Sequence, residues 1–180
     1  HAPRLDSHPF ECNDEEARQY FQEQPAADWS HHARRLSATR HQSTLRWVLL
    51  HLAREETEAY GVSRWMSERF YSCQHIFTEH DIEHFLNHED QSLRSWAVEN
   101  LRSTDTEHQL NLLEPMLADT SSAVLHKVMT RIRSLSIETQ HKLDLFRPVL
   151  ESQCHVAITH LGHLDIEPSL KLEILQPYLG

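Results

Sequence analysis

An all-α fold built from repeated helical hairpins is what this sequence predicts, and three observations carry the prediction. An eight-residue pattern recurs: Leu110–Leu117 reads Leu-Asn-Leu-Leu-Glu-Pro-Met-Leu, Leu143–Leu150 reads Leu-Asp-Leu-Phe-Arg-Pro-Val-Leu, and Leu172–Leu179 reads Leu-Glu-Ile-Leu-Gln-Pro-Tyr-Leu, at offsets of 33 and 29 residues. Self-similarity at this period marks supersecondary units that cannot bury an apolar face alone and stack to do so. Only 3 glycines and 7 prolines in 180 residues leave little material for β-turns, which favours helices joined by short links. Within each octad the apolar places cover an arc of about 160° at helical spacing, a broad buried face. The doublets Leu112-Leu113 and Met116-Leu117 break the alternation a strand requires.

Taken in order, residues 1–10 hold two prolines and no helical period, and read as a lead-in. Asn13 or Asp14 is placed to cap a short helix through Gln22, with Glu15 and Glu16 suiting its positive N-terminal end; Pro25 ends it. Asp28 or Ser30 caps a following segment through Ala33 and Leu36. A stronger helix is predicted over about Ser43–Glu58, where Leu45, Val48, Leu49 and Leu52 recur at three- and four-residue steps, with Gly61 ending or breaking it. The block Ser63–Phe77, carrying Trp65, Met66, Phe70, Tyr71, Ile76 and Phe77, reads as the irregular end unit of a stack.

From Glu79 two helix types alternate. The A type is predicted at roughly Glu79–His88, Asp105–Ala118, Glu138–Glu151 and Glu167–Leu179, and the B type at roughly Gln91–Arg102, Ser121–Ser134 and Ser152–Leu164. The first A helix is a degenerate octad, with Ile82, Phe85 and Leu86 in place and His84 where the proline would stand. Polar turns at Asn87–Asp90, Asp119–Ser122 and Glu151–Gln153 supply caps for the B helices. Each octad proline removes a backbone donor and should bend its helix near the C-terminal end. The B helices keep register as Leu93/Ala97/Leu101 and Val124/Val128/Ile132, with Ala157 and Leu161 continuing less cleanly.

The motif Leu86-x3-Asp90-x2-Leu93-Arg94-x2-Ala97-x3-Leu101, preceded in later copies by Pro-x-Leu, resembles HEAT (ARM/HEAT) repeats, well over Glu79–Gly180 and weakly over Trp29–Phe77. Asp119 keeps the turn aspartate, while Leu125 and Ile158 replace the basic residue at Arg94. The resemblance implies a right-handed α-solenoid of about three to four hairpins, with the A helices convex and the B helices concave. Residues 1–77 would be an N-terminal helical cap with room for one divergent repeat, and residues 78–180 the array, together one continuous domain. The final A helix has no B helix after it, so Leu172, Ile174, Leu175 and Leu179 need either a natural capping role or a continuing array.

Charge follows the two helix types. The chain carries -10 overall, yet the four A helices hold 11 acidic and 3 basic side chains while the three B helices hold 1 acidic and 5 basic. This polarity places the expected partner surface on the B face, at Arg94, Trp96, Arg102, His126, Lys127, Arg133, His160 and His163. The leading function is a non-catalytic scaffold or adaptor that binds another protein there. A variant of it is a neutralising or regulatory partner that uses the acidic A wall against a basic protein. The alternative is nucleic-acid binding, through a resemblance of some HEAT-like arrays to DNA glycosylases, with Trp96 and Glu99 on one B helix. Whole-chain acidity disfavours polyanion binding.

No phosphate-cradling glycine loop, nucleophile elbow or His-Glu-x-x-His occurs, and no catalytic residue or cofactor is expected. His80, His84 and His88 at four-residue steps would share a helical face and are the candidate metal ligands; solvated histidines are the preferred reading. Cys12, Cys73 and Cys154 lack paired spacing and suit a reducing, cytoplasmic setting. The longest purely apolar run is Trp47–Leu50, too short for a membrane span. No signal peptide is visible, and a start at His1 suggests a processed product, a trimmed tag or an excised fragment.

Overall fold

A computed structural model describes residues 10–55 and 64–178; among them every regular element is helical, and they fall into two compact units, His1–Thr78 and Glu79–Gly180. No helix among the described residues is long and apolar enough to cross a membrane.

The first unit contains α1 (Asp14–Glu23), α2 (Trp29–Ala33), α3 (Gln42–Glu55) and α4 (Arg64–Ser72). Asn13 starts α1 through a reciprocal capping box: its side chain accepts from Glu16 N at 3.0 Å, and the Glu16 carboxylate accepts from Asn13 N at 3.0 Å. Asp14 has a different task from the expected cap. It reaches across to the first turn of α3, accepting from Thr44 N at 3.0 Å, from Ser43 N at 3.3 Å and from the Ser43 hydroxyl. Burial pushes its carboxyl up, but the hydrogen bonds from Ser43 and Thr44 outweigh this and hold it below its ordinary value. The expected cap at Asp28 is absent, because a 3-10 turn at Ala26–Asp28 runs directly into α2.

Leu45, Val48, Leu49 and Leu52 are buried along α3, as the helical spacing requires. Beside them His41 is buried and bridges two backbone groups, accepting from Ser37 N at 2.9 Å and donating to the Cys12 carbonyl at 2.9 Å. The stacked rings of Phe70 and Phe77 close another part of this core. Gly61 and the side chains of Trp65 and Met66 lie outside the described residues.

The second unit contains α5 (Glu79–Phe85), α6 (Gln91–Asn100), α7 (Thr106–Leu113), α8 (Ser122–Ser134), α9 (Thr139–Ser152), α10 (Cys154–Gly162) and α11 (Pro168–Leu175). The B helices are thus α6, α8 and α10. Asp90 caps α6 by accepting from Ser92 N at 2.7 Å, Asp105 caps α7 through Glu107 N at 3.0 Å, and Ser121 caps α8. Helix α6 packs against α8 and α8 against α10, while α5 lies on α6, and α9 on both α8 and α10. The stripes Leu93/Ala97/Leu101, Val124/Val128/Ile132 and Ala157/Leu161 are all buried. Each large apolar side chain in such a stripe contributes about 1.5–3 kcal/mol relative to exposure.

The octad proline acts differently in each copy. Helix α7 ends at Leu113 and Pro115 opens a 3-10 turn, Pro115–Ala118, where its missing N–H is not needed. Pro148 instead lies inside the continuous helix α9, so the Asp144 carbonyl cannot receive the helical bond from that position. The third copy falls in α11 and a 3-10 turn, Gln176–Tyr178; α11 has no buried residue, and Leu172 is 63% exposed.

Candidate partner-binding surface

The residues expected on the B face separate into a structural group and an outward group. Arg94 belongs to the first. Its Nε and Nη2 donate to the two Asp119 carboxylate oxygens at 2.7 and 3.0 Å, and its Nη1 donates to the His88 and Glu89 carbonyls at 2.8 and 2.6 Å. With side-chain exposures of 16% and 8%, Arg94 and Asp119 form a largely buried fork that clips the turn before α6 to the turn before α8. A guanidinium committed in this way is not available to a partner.

Trp96 is likewise corrected. It is 1% exposed and packs edge-on against Phe85, with ring centroids 5.8 Å apart. Helix α6 is covered by both α5 and α8, so a wider arc of it is buried than the Leu93/Ala97/Leu101 stripe alone implies. Lys127 is on the surface and pairs with Glu99 across the α6–α8 seam. Arg131, also on α8, donates to the Gln109 side chain at 2.8 Å and to the Leu101 carbonyl at 2.7 Å. Arg102 and His163 are exposed, and His126 and Arg133 are half-buried.

His160 was expected at the surface but is only 4% exposed, beside Phe146. Its two ring nitrogens have defined roles. Arg133 Nη1 lies 3.5 Å from His160 Nδ1, and a guanidinium can only donate, so Nδ1 is the acceptor. The proton of the neutral ring is therefore on Nε2, which donates to His126 Nδ1 at 2.9 Å. That bond leaves His126 with its own proton on Nε2. Burial first, then the neighbouring His126, Arg133 and His163, push His160 down to about 4, so the ring is neutral at neutral pH. Sequence reasoning did not find one further member, Lys142 of α9, whose Nζ donates to the Arg133 carbonyl at 2.8 Å. It stands on an A helix, and only the tertiary packing brings it to the end of α8.

The candidate metal ligands do not converge. Helix α5 stops at Phe85, so His88 lies beyond the helix and leaves the face shared by His80 and His84; its Nδ1 accepts from Asp90 N at 3.0 Å. Among the described residues no three His, Cys, Asp or Glu side chains are grouped to hold a metal ion.

A cleft of about 780 Å³ is on the octad side, lined by Glu114, Leu117, Asp119, Asp144, Leu145 and Pro148. A smaller one of about 530 Å³ uses the corresponding residues one octad earlier, Asn111, Leu112 and Pro115, and shares Ala118 and Asp119 with it. Comparison with known proteins found no matching family model, no matching curated protein and no matching solved structure.

Proposed function

We propose that this chain is a non-catalytic protein-binding scaffold: a right-handed HEAT-like solenoid of three to four hairpins whose B-helix face engages a protein partner in the cytoplasm. The observation that carries the reading is the order α6–α8–α10. Helices packed in chain order bring their polar flanks into one continuous strip, the kind of extended surface on which repeat arrays hold other macromolecules. Arg102, His126, Lys127, Arg133 and His163 are the side chains of that strip, with Arg94 and Trp96 beneath it as its frame. A base-excising enzyme would need Trp96 at the surface and Glu99 open to a substrate, whereas Trp96 is in the core and Glu99 is held by Lys127.

The test is site-specific photocrosslinking in native lysate. A photoreactive side chain at Ser95, Thr130 or Thr159, one on each B helix, should capture the same protein. The same group at Gln140 or Arg147 on α9 should not. Capture confined to the α9 positions would move the binding surface to the acidic wall, and capture of nucleic acid from the B positions would overturn the protein-binding reading.

A further inference from the structure

We propose that Arg133, set by the buried His160 ring and its partner His126, forms a single-point anion site that takes the phosphoryl or carboxylate group of an acidic peptide segment. The proposal deepens the B-face reading and rests on it, and it starts from an imbalance in the charge pairing. The chain is acidic, at -10, yet the guanidinium of Arg133 has no carboxylate partner among the described residues. Its guanidinium instead meets another base, His160. A half-buried guanidinium without a counter-ion is costly unless an anion completes it, and its planar fork suits a carboxylate or phosphoryl group.

The imidazoles add direction. The bond order derived above runs from Arg133 to His160 Nδ1 and from His160 Nε2 to His126 Nδ1. It leaves His126 Nε2–H facing away from His160, at the other end of the relay from Arg133. His160 is buried and cannot touch a ligand, so it is a positioning residue: it fixes the tautomer and tilt of His126 relative to Arg133. The charged groups acting on it are all basic. They are His126 and Arg133 on α8 and His163 on α10, while α9 packs Phe146 against it. Lys142 of α9 reaches the backbone end of α8 at Arg133. An anion arriving here meets the fixed positive charges of Arg133 on α8 and Lys142 on α9.

The same pairing map selects the ligand class. Nucleic acid requires a track of available cations along the groove. Along the B helices Arg94, Lys127 and Arg131 are already engaged, by Asp119, Glu99 and Gln109 respectively. What is left around His160 is a point rather than a track, which suits one acidic side chain of a protein.

The experiment is an NMR titration of the full chain, following the imidazole nitrogens of His126 and His160 and the guanidinium of Arg133. The probes are a short glycine-serine peptide bearing one phosphoserine, the same peptide with glutamate or unmodified serine there, inorganic phosphate, and a short single-stranded DNA. The phosphoserine and glutamate peptides should move these three signals with affinities at least about tenfold above the serine peptide, the worth of one charge-assisted hydrogen bond. Arg133→Gln should lose about tenfold or more, whereas Arg147→Gln on the exposed side of α9 should lose nothing. Should R133Q fail to fold, the wild-type shift map decides alone.

No movement of the three signals by either acidic peptide overturns the proposal, as does tighter binding of the DNA than of the phosphopeptide. Equal binding by inorganic phosphate and the phosphopeptide removes the peptide from it. Photocrosslinks from the B face without these shifts would sink the anion site alone. Shifts without any B-face crosslink would sink the partner reading alone.

Discussion

Replacing Arg94 by alanine removes four hydrogen bonds, but the larger penalty is what it leaves behind. Asp119 is 8% exposed in its side chain, and its carboxylate would keep the Ser121 N–H donor at 2.8 Å after losing the guanidinium. Breaking one side of a buried ion pair costs about 3–5 kcal/mol. The surviving Ser121 bond and the partial exposure of Arg94 place the expected loss at the lower end, about 3 kcal/mol. Removing both partners should cost less than the sum of the single changes, with a coupling of about 2 kcal/mol in the double-mutant cycle of Arg94→Ala and Asp119→Ala. Because the chain has two compact units, a single urea transition is an unsafe readout. Native-state hydrogen exchange of α6 and α8 amides isolates the second unit. A loss under about 0.5 kcal/mol for Arg94→Ala, or strict additivity in the cycle, would refute the claim that this fork joins successive hairpins.

The octad prolines offer an internal contrast. Pro148→Ala restores an N–H inside α9 and should stabilise the second unit by about 1 kcal/mol or more, while Pro115→Ala at the start of its 3-10 turn should change it by less than about 0.5 kcal/mol, both read from native-state hydrogen exchange of α8 amides. In the first unit, His41→Ala strands the Ser37 N–H and the Cys12 carbonyl and opens a cavity, for an expected loss of about 2–4 kcal/mol in native-state hydrogen exchange of the α3 amides. Asp14→Ala should cost about 1–2 kcal/mol there. Since the Asp14 carboxyl is held below its ordinary value of 3.8, its contribution is fully present above that pH and fades as the solution is acidified further. His160 has the opposite character. Its folded value of about 4 lies below the unfolded 6.5, so the unfolded chain takes up the proton first and stability should decline as pH falls from about 6.5 to about 4. His160→Gln should flatten that dependence in the exchange rates of α10.

The elements that could be read from the sequence are those set by local chemistry. The first two octads and the stripes on α6 and α8 specify buried helical faces from spacing alone, and the polar turns holding Asp90 and Ser121 announce their helices as caps. Pairing between hairpins was less legible. The charge count of the B helices treats Arg94 and Lys127 as surface cations, but Asp119, 25 residues after Arg94, neutralises one and Glu99 the other. Alignment of the stripes sets His126 opposite Thr159, whereas the structure pairs it with His160. The cause is the α9–α10 junction. Gln153 alone ends one helix and starts the next, while three residues, Asp119–Ser121, separate the corresponding 3-10 turn from α8. The shorter link shifts the register and turns His160 inward. The shared face expected for His80, His84 and His88 is lost for a similar reason: α5 ends at Phe85, and a helical spacing has no meaning past a helix terminus.

The whole functional account depends on α6, α8 and α10 lying side by side in chain order, and inter-label distances in solution test this most directly. With Cys12 and Cys154 replaced by serine and Cys73 left buried, spin labels would be placed at Thr130 with Thr159, and at Ser95 with Thr159. Helices stacked at about 8–10 Å predict a near pair at about one helix spacing and a far pair at about twice that. Equal separations for the two pairs would describe a closed bundle, and the continuous B-helix strip would not exist.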